Sequence, residues 1–132
     1  MTDVPQVFRV TIQVADVAEA ARFYSSLLGI PGMPIRGGRH YFDCGPVLLA
    51  LLAPGDSTAQ PSPAIYFSVK DLSAIHARAS NLGCIARTLV HDEPAGSMAV
   101  RPWGERSFYA VDPYGNELCF VEAGTEFTGR KQ

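Results

Sequence analysis

The fold is decided by a stretch that occurs twice, as VTIQVADV at residues 10–17 and as IYFSVKDL at residues 65–72. Apolar residues fall at the same alternate positions in both copies, and Asp16 matches Asp71 at an offset of 55 residues. Apolar residues at every second position are typical of a β-strand with two different faces. A repeat of this kind predicts two similar modules.

Each predicted strand runs into the pattern of a capped helix. Asp16 can accept a hydrogen bond from the first helical turn, and Glu19 three residues later completes a capping-box-like pair. Asp71 holds the same place in the second copy, and Gly29 and Gly83 end the two patterns. The apolar stripes between these signals have helical spacing. They comprise Val17, Ala20, Ala21, Tyr24, Leu27 and Leu28 in the first copy and Leu72, Ile75, Ala79 and Leu82 in the second.

Strand-like segments follow each helix and are separated by turns rich in Gly and Pro. These segments are 39–44 and 47–53 in the first copy, and 98–101, 106–111 and 117–121 in the second. The pattern predicts an α+β fold of two tandem βαβββ modules. Within a single domain of residues 1–132, we expect the first module at 7–53, a linker at 54–63, the second module at 64–122 and a C-terminal tail at 123–132.

The composition limits the classes of function. A formal net charge of −2 lacks the basic excess that nucleic acids and anionic membranes attract, so we expect neither partner. The longest apolar run, residues 47–53, is too short to span a bilayer, and the first residues lack the pattern of a signal peptide. Three cysteines without a Cys-x-x-Cys pair favour reduced thiols and a cytoplasmic location.

The order and spacing of several further motifs carry a family resemblance. They are FY at 23–24, LLG at 27–29, RPWGERSFY at 101–109 and DPYGN at 112–116. Together with the repeat they resemble the vicinal oxygen chelate superfamily of glyoxalase, bleomycin resistance and dioxygenase-like proteins. The resemblance spans roughly residues 7–122. It implies modules whose strands curl into a cup within a mixed sheet, a homodimer, and in this family a divalent ion held by His, Gln or Glu.

The positions that the resemblance assigns to metal ligands carry other residues. Arg9 and Ala64 stand seven residues before the two capping Asp residues, and Leu49 and Cys119 stand four residues after turn glycines. A guanidinium repels a cation, alanine and leucine have no donor atom, and a lone cysteine is more often a small core residue. We therefore expect no metal ion and no cofactor.

Strand alternation predicts the lining of the cup. Phe8, Val10, Ile12 and Val14 should pack under the helices, which leaves the intervening residues to face a ligand. The candidate ligand-binding residues are Arg9, Thr11, Gln13, His40, Phe42, Leu49, Tyr66, Ser68, Trp103, Arg106, Glu117 and Cys119. A half-buried Arg9 is expected to pair with a carboxylate such as Glu105 or Glu117, or to bind an anionic ligand.

The other histidines are expected outside the site. His76 falls on the apolar stripe of the second helix, which favours a packed position at the edge of the core. His91 stands beside Asp92 and Glu93 in a segment that predicts a solvated loop.

Three functions fit these patterns. The first is a metal-free protein, similar to the bleomycin resistance branch, that binds a small organic molecule. The second is an enzyme of the lyase, isomerase or dioxygenase type, with a shifted metal site that uses Gln13 or Glu117, or with acid and base groups such as His40 and Glu117. The third is a structural partner protein whose cup is filled by its own side chains. Metal analysis separates the first from the second.

Overall fold

The computed structural model describes residues 4–54 and 63–130 of the chain. The chain folds into two compact units, Met1–Pro61 and Ser62–Gln132. Each unit contains one four-stranded mixed sheet with one helix packed against it. The α+β fold with two tandem βαβββ modules is therefore confirmed. Most of the linker predicted at 54–63 lies outside the described residues.

The first sheet has the strand order β1-β4-β3-β2, with β1 parallel to β4 and the other neighbours antiparallel. Its elements are β1 (Arg9–Gln13), α1 (Val17–Leu28), β2 (Met33–Ile35), β3 (Arg39–Cys44) and β4 (Val47–Leu52). The sequence analysis did not predict β2, because three residues that include a proline are too short to show an alternating pattern.

The second sheet repeats this pairing in the order β5-β10-β9-β8, with β5 parallel to β10. Its unit comprises β5 (Ile65–Val69), α2 (Leu72–Leu82), β6 (Leu89–Val90), β7 (Glu93–Pro94), β8 (Ala99–Val100), β9 (Arg106–Val111) and β10 (Glu117–Glu122). Strands β6 and β7 form a separate hairpin. Its turn residues, His91 and Asp92, have φ angles of 49° and 65°, as two-residue hairpin turns require. The segment predicted as a loop is therefore a hairpin.

The predicted helix caps are present in both units. The Asp16 carboxylate accepts a hydrogen bond from the Glu19 backbone N–H at 3.0 Å, and Asp71 accepts one from the Ala74 N–H at 3.1 Å. Each helix ends at a glycine in the left-handed conformation, with φ of 73° at Gly29 and 69° at Gly83. Both helices begin and end where the sequence pattern predicts.

Each helix covers one face of its own sheet. In the first unit the Tyr24 ring of α1 lies 6.3 Å from the Phe42 ring of β3. In the second unit His76 of α2 lies 4.7 Å from Phe108 of β9, which confirms the packed position predicted for this histidine. We call the opposite side of each sheet, turned away from its own helix, the far face. Neither helix is long and apolar enough to cross a membrane, within the residues that the structure describes.

Candidate functional site

The far face of the first sheet carries three of the predicted ligand-binding residues. Arg9, Thr11 and Gln13 alternate along β1 and lie opposite Leu48, Ala50 and Leu52 of β4. Ile12 and Val14 are fully buried on the other side, as predicted, but Phe8 precedes β1 and is 62% exposed.

Arg9 differs from its prediction. Its side chain is exposed, and its guanidinium carbon lies 5.3 Å from the centre of the Phe8 ring and 5.7 Å from that of Tyr41. An exposed guanidinium stays hydrated and needs no buried carboxylate. The expectation of a half-buried Arg9 was therefore wrong.

The predicted residues His40, Phe42 and Leu49 lie on the helix side of the first sheet. Phe42 is fully buried against α1 and pairs with Leu49 across the ladder. His40 packs its ring 5.4 Å from that of Phe42 and also lies against Gly32. Phe42 and Leu49 are core and His40 is half-buried on the same side of the sheet, so the assignment of these residues to the ligand pocket is corrected.

Loop length explains the error at Leu49. The β3–β4 hairpin has a two-residue loop, since Cys44 pairs with Val47, whereas β9 and β10 are joined by residues 112–116. Counting four residues from the turn glycine therefore reaches opposite faces in the two modules. The residue of β4 that matches Cys119 is Ala50, which also offers no metal ligand.

The far face of the second sheet brings predicted site residues together. Cys119 of β10 lies between Tyr66 of β5 and Tyr109 of β9, and Val121 lies between Ser68 and Ser107. Glu117 shares this face at the other end of β10, where it is exposed. Tyr66, Ser68 and Glu117 thus share one side of the sheet with Cys119. Cys119 is fully buried, as Phe42 is, so its assignment to the ligand pocket is corrected.

Arg106 does not belong to this surface. It alternates with Ser107 and Tyr109 along β9 and so faces the helix side, where its Nη1 lies 3.1 Å from Glu122 Oε1. Both side chains are about one third exposed, so the ion pair contributes little to stability. Arg106 is thus a structural residue at the beginning of β9, on the helix side of the sheet.

The sequence analysis missed the buried arginine of this region, Arg101. Its Nε donates to Ser107 Oγ at 3.1 Å, and its Nη2 donates to the carbonyls of Ala95, Ser97 and Ser107 at 3.1, 2.9 and 3.0 Å. The guanidinium also lies 5.5 Å from the centre of the Tyr109 ring. Arg101 thereby fastens the segment after the β6–β7 hairpin to β9.

The thiol and phenol beside Arg101 are held in their protonated forms. Burial is the main cause that raises the pKa of Cys119 to about 11, against hydrogen bonds to Tyr109 and Ser107 that lower it. Burial also raises the pKa of Tyr109, and its neighbours Cys119 and Tyr66 add to the effect. At neutral pH this cluster therefore contains neither a thiolate nor a phenolate.

A cavity of about 380 Å³ lies next to this cluster. Its walls are formed by Tyr66, Phe67, Ser68, Trp103, Glu105, Val121, Glu126 and Phe127. Trp103 thus lines the same cavity as Tyr66 and Ser68. Glu105 entered the sequence analysis only as a possible partner of Arg9, and the tail residues Glu126 and Phe127 were missed because the tail has no strand or helix pattern.

Hydrogen bonds fix the walls of this cavity. The two oxygens of Glu105 accept from Trp103 Nε1 at 2.7 Å and from the Phe127 backbone N–H at 2.8 Å. Ser68 Oγ donates to Glu126 Oε2 at 2.5 Å, and the Gly124 N–H donates to Glu126 Oε1 at 2.7 Å. The tail is thereby tied to β5 and to the segment that precedes β9.

Comparison with known proteins identifies the family. The model of the glyoxalase/bleomycin resistance protein/dioxygenase superfamily matches residues 6–120. The chain belongs to this superfamily. No match to a curated protein was found.

Solved structures share the superfamily fold. Oxidase ChaP-H1 has a TM-score of 0.75 at 22% identity, over 90% of this chain and 96% of its own. A glyoxalase/bleomycin resistance protein from Albidiferax ferrireducens T118 has a TM-score of 0.71 at 21% identity, over 87% and 97%. A lactoylglutathione lyase from Agrobacterium tumefaciens has a TM-score of 0.67 at 20% identity, over 92% and 96%. At these identities the likeness shows the fold alone.

The residues at the superfamily's metal positions do not fit a divalent ion. One of these four residues, Cys119, has a side-chain atom that binds metal ions, and burial raises the pKa of its thiol. The other three are Arg9, Ala64 and Ala50. Cys119 could bind a metal ion only as a thiolate, and further donor atoms would be needed to complete the site. Among residues 4–54 and 63–130, no group of three or more His, Cys, Asp or Glu side chains could hold a metal ion.

Proposed function

We propose that this superfamily member binds a small organic molecule, without a metal ion, in the cavity beside the far face of the second sheet. The observation that carries the proposal is the cavity of about 380 Å³, which combines aromatic walls with hydrogen-bonded polar groups. Pockets for small molecules have this composition, because apolar walls supply affinity and a few polar groups set orientation.

The cluster next to the cavity supports binding over acid–base catalysis. Cys119 and Tyr109 both have raised pKa values, so neither is a base near neutral pH. Glu117 and Cys119 are two residues apart on β10, a separation of about 7 Å along the strand. The Cys119 thiol is held protonated, and among the described residues no group of three or more His, Cys, Asp or Glu side chains could hold a metal ion, so the second module does not favour a shifted site at these two residues.

Fluorescence of Trp103 tests the proposal. It is the only tryptophan of the chain and it lines the cavity, so a bound molecule changes its emission. A panel of small organic molecules, first screened by thermal shift, should contain compounds that raise the melting temperature and alter this emission saturably. If no compound in a broad panel does so, the protein is better described as a structural partner.

A matched pair of variants tests whether the molecule binds in this cavity. Tyr66→Ala removes a cavity wall and should weaken binding, whereas Phe8→Ala removes a similarly exposed ring outside the cavity and should not. Elemental analysis of the purified protein completes the test. About one tightly held Fe, Mn, Ni or Zn per chain would contradict the metal-free proposal and favour a lyase, isomerase or dioxygenase.

We also propose that the protein is a cytoplasmic homodimer. Strand β1 lies at an edge of its sheet, and Val7 and Phe8 just before it are 67% and 62% exposed. An edge strand that has no second strand beside it among residues 4–54 and 63–130, next to exposed apolar side chains, favours association with a second copy. Light scattering during gel filtration should give twice the mass of one chain, and a monomer at micromolar concentration would contradict the dimer.

A further inference from the structure

We infer that the molecule bound in this cavity is an organic cation, an amine or ammonium compound with an aromatic or alkyl body. The inference rests on the function proposed above and names its class of ligand. Of the eight residues that line the cavity, the two charged ones are both carboxylates, Glu105 and Glu126. An anionic ligand would be repelled by both, and a neutral one would leave their charge uncompensated.

Of the two carboxylates, Glu105 supports the inference more strongly. Its side chain is 7% exposed, and its two hydrogen bonds come from neutral N–H groups, one from Trp103 and one from Phe127. Within the described residues it makes no ion pair within 4.0 Å. Buried carboxylates are ordinarily paired with a positive charge. A cationic ligand would supply that charge, since each carboxylate oxygen can accept more than one hydrogen bond.

The nearby arginine does not fill this role. Arg101 directs its Nη2 and Nε protons to the carbonyls of Ala95, Ser97 and Ser107 and to the Ser107 hydroxyl. These contacts engage its donors away from Glu105. Among the described residues, the buried Arg101 therefore makes no ion pair with Glu105.

The aromatic walls fit the same class of ligand. Trp103, Tyr66 and Phe127 line the cavity, and the indole of Trp103 is held in place by its hydrogen bond to Glu105. Tyr66 and Phe127 are 58% and 64% exposed, so their rings are accessible. Aromatic faces attract cations through their quadrupole, tryptophan most strongly, and groups of aromatic rings are the usual recognition site for ammonium compounds.

Glu126 adds a second carboxylate in the wall. Ser68 and the Gly124 N–H hold it in place, and the hydrogen bond from Ser68 is the largest cause that lowers its pKa. Glu126 therefore carries its charge at neutral pH. A molecule with one ammonium group and one apolar ring can place the ring against the aromatic walls and the ammonium group between the carboxylates.

Three probes of similar size and different charge test the inference. They are 2-phenylethylammonium, neutral 2-phenylethanol and anionic 3-phenylpropionate, titrated against Trp103 emission at pH 7 and low ionic strength. The cation should bind at least about tenfold more tightly than the alcohol, because hydrogen bonds between charged groups are stronger than those to a neutral hydroxyl. Added salt should reduce this preference, since it screens partly exposed charges. The anion should bind most weakly.

Two substitutions assign the preference to the carboxylates. Glu126→Gln removes one charge at an exposed position and should weaken binding of the cation several-fold while leaving binding of the alcohol unchanged. Glu105→Gln keeps one oxygen that can accept a hydrogen bond, and it should weaken binding of the cation more than Glu126→Gln does. Circular dichroism checks that this variant is folded. Glu117→Gln, which removes an exposed carboxylate of the same sheet face outside this cavity, is the matched control and should have no effect.

The outcomes separate the inference from the function on which it rests. If the alcohol or the anion binds as tightly as the cation, the pocket binds organic molecules but the inferred charge class is wrong. If none of the three probes binds at millimolar concentration while neutral or anionic compounds of the broader panel do, the cation inference is overturned and the binding function stands. If nothing in that panel binds, the proposed function itself fails.

Discussion

The two modules share one strand topology but present different chemistry on their far faces. In the first sheet the centre of this face is Thr11 and Ala50, with Arg9 exposed at one end. In the second sheet the equivalent centre is Tyr66 and Cys119 beside Tyr109. The repeat therefore determines where the strands lie, while substitutions within it place Cys119 between two tyrosines on the second face and Ala50 between Thr11 and Tyr41 on the first.

The connection between helix and sheet also differs. In the first module only four residues, 29–32, separate α1 from β2. In the second, residues 83–98 separate α2 from β8 and include the β6–β7 hairpin. Arg101 binds the carbonyls of this longer connection, and His91 of the hairpin turn lies 5.1 Å from the Trp103 ring. The longer connection thus packs against Trp103, one of the residues that line the cavity.

The largest expected effect tests the difference between helix side and far face. Phe42→Ala should destabilise the protein by about 3–5 kcal/mol, because a fully buried ring leaves a cavity when removed. Tyr66→Ala, at a 58% exposed position, should cost less than about 1 kcal/mol. Urea unfolding followed by circular dichroism measures both. Equal costs would contradict the assignment of Phe42 to the core and Tyr66 to the accessible surface.

The next effect separates the two arginines. Arg101→Met should cost roughly 2–4 kcal/mol, because the carbonyls of Ala95 and Ser107 each lose a buried donor. Arg9→Met removes an exposed side chain and should change stability by about 0.5 kcal/mol or less. Should Arg101→Met fail to fold, Arg101→Lys provides a second measurement. It keeps the charge but cannot reach several acceptors at once, so its unfolding midpoint should still fall below that of the Arg9 variant.

These arginines show what could be predicted from the sequence and what could not. The helices were predicted to the residue because their caps, Asp16 and Gly29, act within a few positions of the chain. Arg9 was placed on the correct face of β1 because alternation is local. Its burial was wrong, since burial depends on what packs over a strand, and that information lies elsewhere in the sequence.

The candidate site was predicted only in part for the same reason. The positions of Tyr66, Ser68 and Trp103, which line the cavity, follow from alternation and from the turn motifs, whereas the burial of Cys119 does not. The contact between Glu105 and Phe127 joins residues that are 22 positions apart, through a tail without periodic pattern. The error at Leu49 arose because one loop length was assumed for both hairpins.

A smaller effect compares the two helix caps. Asp16→Ala and Asp71→Ala each remove a side-chain acceptor from a backbone N–H, so each should cost about 0.5–2 kcal/mol. Replacement by asparagine keeps the acceptor and should restore most of the loss. Urea midpoints of the four variants test whether the caps of the two modules are equivalent. A loss for one aspartate alone would show that the repeat is not energetically symmetric.

The smallest expected effect concerns the contact between Ser68 and Glu126 in the second module. The folded protein lowers the pKa of Glu126 from its ordinary value of 4.5, first through the hydrogen bond from Ser68. A lowered pKa adds stability above the unfolded-state value, and this is lost as the pH falls through the folded-state value. Ser68→Ala should therefore lower the urea midpoint slightly at pH 7 and not at all at pH 3.

Thr11→Ala is the control for this pH dependence. Thr11 lies on the far face of the first sheet, at the position that matches Tyr66 in the second. It forms no hydrogen bond with a carboxylate in the described residues, unlike Ser68. Its effect on the midpoint should be the same at both pH values. If Ser68→Ala also shows a constant effect, the Glu126 carboxylate is not bound by Ser68 in solution. The tail would then be held to the second sheet by the remaining contacts, from the Arg106 N–H to Thr125 and from the Phe127 N–H to Glu105, and the cavity would lose one of its two charged walls.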